Sequence, residues 1–260
     1  MGLSLKDEWS RVQRAVRTVD TQAAVVLLAA ALLVILQMNV GDRGFFRTTV
    51  APQLDVAGNG LASWAWWFGM QGVLGFLVPI AILKWGFKTS WKGMGLGAGD
   101  YSFALKMTAI YLPLVLVGTW ILSDSTEFQA SYPHYSAAAH HWKPFLIYES
   151  LFLFYWLGWE YLWRGFVLFG TARSFGIMAI FIQAMPFALL HFNKPLPEAL
   201  LSIVGGVAIG ALVWRSRSFW IAVPIHAAQM MMLDLWCSLR IRSGATGWGL
   251  DALESVFKAF

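Results

Sequence analysis

The sequence predicts an all-α protein, a polytopic transmembrane helical bundle of about seven to eight spans. Three observations carry that expectation. Apolar residues make up 58% of the 260 positions and charged residues 13%, roughly half the charged share of an ordinary soluble domain. The mean hydropathy is +0.60. Apolar runs of about 20 residues, each long enough to cross the hydrocarbon core as a helix, recur along the whole chain. A soluble domain with a large core does not have this composition. The net charge of +5 does not point to nucleic acid, because the basic residues stand singly between apolar runs, as loop positives that set membrane topology do.

Residues 3–19, with Lys6, Arg11, Arg14 and Arg17, read as a basic amphipathic helix on the membrane surface or as a solvated juxtamembrane tail. They belong to an N-terminal segment, residues 1–20, in which no apolar stretch marks a cleavable signal. The first span is expected over 21–40 and the second over 61–83, with Trp64, Trp66 and Trp67 as an interfacial aromatic belt. Between Lys84 and Asp100 the glycines alternate at Gly93, Gly95, Gly97 and Gly99. No strand precedes them and no lysine-serine pair follows, so a flexible loop is expected rather than a nucleotide phosphate loop. The third span, 103–122, carries Pro113 as a kink point, and it closes a first membrane part at residue 143.

The loop over 123–143 holds Asp124, Glu127, His134, His140 and His141, whose spacing fits no compact ligand pattern. Neither a metal nor any other cofactor is expected. A second part, 144–240, starts with the long apolar run 144–170, which contains Glu149, Glu160 and Arg164, and continues in a fifth span over 175–192. Pro197 suits the first turn of a sixth helix, 198–214, in which Gly206 and Gly210 form a small-xxx-small packing face. A seventh span is expected over 219–239, then an amphipathic tail over 241–260. Basic residues favour alternate loops, which puts the N-terminus in the cytoplasm. The lone Cys237 excludes an intrachain disulfide and reads as a small buried apolar residue.

Charged and titratable groups inside such spans are expensive unless paired or turned inward, so they are functional candidates. Glu160 and Arg164 lie four residues apart and share a helix face. His191 ends the fifth span and His226 lies in the seventh. Together, Glu160-x-x-x-Arg164-Gly165, Phe187-x-x-x-His191 and His226 within Pro224-Ile-His-Ala-Ala-Gln resemble the CAAX-protease and bacteriocin-processing (CPBP) family of glutamic intramembrane proteases. The resemblance covers about residues 145–240, with the three motifs in the family's order. It implies an intramembrane endopeptidase, in a bacterial inner membrane, acting on membrane-embedded or lipidated peptides by glutamate-activated water. Membrane lipids are its other partners.

Two positions depart from the family pattern. Trp159 stands where the family has its first glutamate, the residue taken to activate water, and Met230 stands where it has an asparagine. The resemblance therefore leaves Glu160 as the candidate base, with His191 and His226 as oxyanion or water-positioning groups. Arg164 is the expected partner of Glu160. Glu198 and Asp234 are candidates to supply the missing carboxylate or amide, whereas Glu149 reads as an interfacial carboxylate. Two rivals follow: a pseudoprotease that binds a membrane partner without cutting, and a small transporter, against which stands the absence of an internal repeat. Simple alternation of spans would separate Glu160 and His191 by more than about 10 Å in depth. Shifted span boundaries are the preferred resolution, ahead of a broken helix.

Overall fold

A computed structural model describes residues 4–58 and 60–258. The outermost residues of the two terminal segments and Asn59 lie outside that description. Every regular element among the described residues is helical. The main ones are α1 (Leu5–Arg17), α2 (Thr21–Asn39), α3 (Leu61–Gly86) and α4 (Tyr101–Leu122). A continuous helix α5 follows over 142–175, then α6 (Ala179–Leu189), α7 (Leu196–Ser216), α8 (Ala222–Ser243) and α9 (Leu250–Lys258).

Among the described residues, five stretches are long and apolar enough to cross a bilayer: Thr21–Asn39, Leu61–Gly86, Tyr101–Leu122, Trp142–Leu189 and Leu196–Ser216. With the lipid-ready exteriors of α2 and α4, where Leu28, Leu32, Ile110 and Leu114 are exposed, they make this an integral membrane protein. The other two expected spans are helices of a different kind. α6 has 11 residues and is about 16 Å long, half of what a crossing needs. α8 has 22 residues, but its apolar run is diluted by His226, Gln229 and Asp234, which it turns toward the bundle interior. α1 buries none of its residues, and Leu5, Trp9, Val12 and Val16 form an exposed apolar stripe at the spacing of one helix face.

The helix ends have local causes. Asp20 and Asp100 cap α2 and α4 by accepting from Ala23 N–H and Phe103 N–H, both at 3.1 Å. Helix α4 runs on through Pro113. Gly176, at φ 54°, ends α5 in a conformation that costs a glycine little. Pro197 sits in the first turn of α7 as expected.

Close helix packing at the centre depends on missing side chains. A Cβ on Gly158 of α5 would collide with the backbone carbonyl of Gln71 in α3. A Cβ on Gly210 of α7 would come within 2.5 Å of Gln183 Nε2 in α6, and Gln183 Nε2 donates to Gly206 O at 2.9 Å. The small-xxx-small face thus packs α7 on α6.

Three expectations change. Trp64 is no belt residue: it is 3% exposed, packs edge-on against Tyr148 and stacks on His134. Glu149 is not interfacial but buried beside Asp234. The glycine-rich segment is a fitted loop, since Phe219 N–H donates to Gly95 O at 3.0 Å, Trp220 Nε1 donates to Leu96 O at 3.1 Å, and Met94 is fully buried.

Candidate active site

The site is built where α5, α6 and α8 meet. Helix α5 changes character immediately after Glu160: residues Tyr161–Val167 form a π-helical turn, a feature often found at functional sites. Glu160 and Arg164 straddle that change and pair at 3.1 Å, both fully buried. Arg164 also lies over the Phe187 ring of α6, 4.0 Å from its centroid. From α8, His226 Nδ1 lies 2.5 Å from the same Glu160 oxygen, Oε1. A carboxylate only accepts from the imidazole, so the Nδ1 proton belongs to His226 and leaves Nε2 as a lone-pair acceptor.

His191 follows the end of α6, and its Nδ1 donates to Phe187 O at 2.8 Å. Its Nε2 is therefore also an acceptor. The His191 ring lies 6.3 Å from that of Trp159 and 4.7 Å from that of Phe187, and Phe187 lies 5.9 Å from His226. Glu160, His191 and His226 thus share one level, and the depth discrepancy disappears. Its cause is the helix boundaries: α5 runs on to residue 175, and the short α6 returns only to mid-bundle.

A cavity of about 510 Å³ opens beside this group, lined by His191, His226, Trp156, Trp159, Gln229 and Met230 among others. Glu160 and Arg164 are not in its wall. His226, which does line the cavity, contacts the carboxylate directly. Trp159, at the position of the missing glutamate, forms part of the wall, stacked on Tyr155 at 5.7 Å. Gln229 accepts from Tyr111 O–H through Oε1 at 2.8 Å, so its NH2 group keeps its donors.

Glu198, a candidate from the sequence, also lines the cavity, as part of a second polar group. Tyr132 O–H donates to the Glu198 carboxylate at 2.6 Å, and Lys194 Nζ donates to Tyr132 Oη and His134 Nε2, each at 2.8 Å. Burial, with Lys194 next, pushes His134 down to about 3, so its Nε2 stays an acceptor at neutral pH. Burial also lowers Lys194. The i, i+4 spacing of Lys194 and Glu198 was a readable signal. Tyr132 and His134 had none, because they arrive from a loop some sixty residues earlier in the chain.

Asp234 does not join the site. It is fully buried outside the cavity wall, against Glu149. The acidic and histidine residues of the 123–143 loop do not gather either: Asp124 pairs with Arg240 at 3.1 Å while His134 faces Lys194. Among the described residues, no three His, Cys, Asp or Glu side chains group as metal ligands.

No curated protein and no solved structure matches the chain. One family model does: residues 141–232, about a third of the chain and the part that builds this site, match the Rce1-like family, described as type II CAAX prenyl endopeptidases. The match falls on the segment whose motifs carry the resemblance, so this part of an integral membrane protein is similar to the CAAX-type proteases.

Proposed function

We propose that the protein is an intramembrane endopeptidase in which His226, oriented by Glu160, activates water against a peptide bond. The observation that carries this reading is the 2.5 Å contact of His226 Nδ1 with Glu160 Oε1, together with the place of His226 in the cavity wall. The pair divides the labour of a base: the enclosed carboxylate fixes the tautomer and offsets the charge that forms, and the imidazole meets water. This revises the sequence expectation in one respect, since Glu160 acts through His226 and not directly on water.

In the first step Nε2 of His226 takes a proton from water as the water oxygen bonds to the peptide carbon. The carbonyl π electrons move to oxygen and give a tetrahedral oxyanion. In the second step the C–N bond breaks, and the imidazolium returns its proton to the leaving nitrogen. The NH2 group of Gln229, one turn beyond His226 and without an acceptor among the described residues, suits the oxyanion. His191 suits the positioning of water through its own Nε2. Arg164 pairs with Glu160, and Glu198 faces the substrate from the cavity wall.

The cavity falls within the usual range for small-molecule sites of about 300–1,000 Å³, and its wall is largely aromatic and aliphatic. That favours a membrane-embedded or lipidated peptide as substrate. Basic residues gathered around α1 and the ends of α3 and α7 favour a cytoplasmic N-terminus, and the resemblance favours a bacterial inner membrane. A second reading rests on Trp159: with an indole in place of the family's glutamate, the same cavity would hold a peptide without cutting it.

The two readings separate in one experiment. Purified wild type and His226→Ala are incubated in liposomes with a library of membrane peptides and lipidated peptides, and new termini are read by mass spectrometry. Cuts that need His226 support the protease. A folded wild type that binds peptides and leaves them intact supports the pseudoprotease.

A further inference from the structure

At the end of the bundle where α3 and α7 finish and α4 begins, the fitted glycine loop forms an open cleft of about 450 Å³ with the α7 terminus. Its wall is the stretch from Gly97 to Asp100 together with Lys92, Arg215 and Arg217. The loop is held against α7 tightly enough to need glycine. Gly99, at φ 60°, has no room for a Cβ beside Ser216 O, and Asp100 N–H donates to Ser216 O at 2.7 Å.

The charges in the cleft are unbalanced. Arg215 is paired with Asp100 at 3.0 Å. Among the described residues, Lys92 and Arg217 have no acidic partner within ion-pair distance. Arg217 itself is a non-glycine residue at φ 58°, and its guanidinium lies 5.4 Å from the Trp214 ring centroid. The backbone adds donors of its own. Among the described residues, the N–H groups of Gly97, Ala98 and Gly99 donate to no protein acceptor. Three successive free N–H groups flanked by two uncompensated cations form a donor set without acceptors, which is what a phosphate needs. A general topogenic positive patch accounts for the cations but not for the free N–H groups or the glycine-enforced docking.

We propose that this cleft binds a phosphate group, with Lys92, Arg217 and the backbone of residues 97–99 as its ligands. The exposed Trp85, Trp91 and Trp220 nearby suit the headgroup level of a membrane, so an anionic phospholipid is one source and free phosphate the other. The proposal is independent of the proteolytic reading, and its test does not use catalysis.

The full chain, purified in nonionic detergent, is titrated with dioctanoyl phosphatidylglycerol, dioctanoyl phosphatidylcholine and inorganic phosphate. The cleft variant is Lys92→Gln with Arg217→Asn, asparagine being tolerant of the left-handed region. A charge-matched control is Arg14→Gln with Arg17→Gln on α1, at the same end of the molecule. Thermal melts verify that both remain folded. Saturable phosphatidylglycerol binding that weakens about tenfold or more in the cleft variant and not in the control supports the site with a lipid source. Inorganic phosphate binding with the same dependence supports it with a free source. Equal weakening in both variants, or binding of neither anion by the wild type, overturns it.

Discussion

Two polar groups meet the same cavity and are built in opposite ways. Around Glu160, Arg164 and His226 the carboxylate is wholly enclosed, and among the described residues its Oε2 and the Nε and one terminal nitrogen of Arg164 have no protein partner. Around Tyr132, His134, Lys194 and Glu198 the hydrogen bonds close on one another, and the Lys194 and Glu198 side chains keep 27% and 13% of their surface. A satisfied, partly wet network rigidifies. An under-satisfied, enclosed pair is costly in lipid and persists where it acts on something. Under the proposed function, that difference favours chemistry in the first group and shaping of the cavity wall in the second.

The sharpest way to break that assignment is Glu160→Gln. An amide removes the charge that orients His226 while keeping the size, so cleavage should fall about 10⁴-fold, the loss seen when a histidine loses its orienting carboxylate. The protein should remain folded, as a thermal melt would record. Glu160→Gln combined with His226→Ala should be no worse than either alone, because residues acting as a unit are non-additive. Multiplying losses would separate the two residues and leave Glu160 as a structural partner of Arg164 alone.

Stability distinguishes the groups next. Glu160→Ala leaves Arg164 buried without its partner and should cost about 3–5 kcal/mol. Gly158→Ala forces a Cβ into the Gln71 backbone of α3 and should cost about 1–3 kcal/mol or more, read in a denaturant or thermal melt. Tyr132→Phe removes one hydroxyl from the wetter network and should cost about 1–3 kcal/mol, with cleavage reduced far less than in Glu160→Gln. A cleavage loss equal to that of Glu160→Gln would show the second group to be part of the chemistry.

The smallest effect is in the pH dependence. His134 is held down to about 3 in the folded protein by burial, against about 6.5 when unfolded. Above pH 6.5 the ring is neutral in both states and contributes nothing. As pH falls from 6.5 toward 3 the unfolded chain takes up the proton and the folded one does not, so stability drops by up to about 1.4 kcal/mol per pH unit. The penalty then levels off. His134→Gln should flatten that part of the curve, and an unchanged slope would place the His134 ring in contact with water.

The sequence by itself determined the solvent and the chemistry on offer. Hydropathy marked the apolar helices because lipid leaves a backbone no other way to satisfy its hydrogen bonds, and the charges inside those runs marked Glu160, Arg164, His191 and His226 because lipid makes each one expensive. The spacing of Gly206 and Gly210 was legible for a similar reason, since a helix repeats its face every few residues. Only the tertiary structure decided what depends on contacts between distant segments. It sealed Glu160 behind His226 and sent Asp234 to Glu149. It turned Trp64 inward and brought Tyr132 and His134 to Lys194. It also fitted the glycine loop to the end of α7. Periodicity reports which face of a helix turns inward; it carries no record of which neighbour that face will meet.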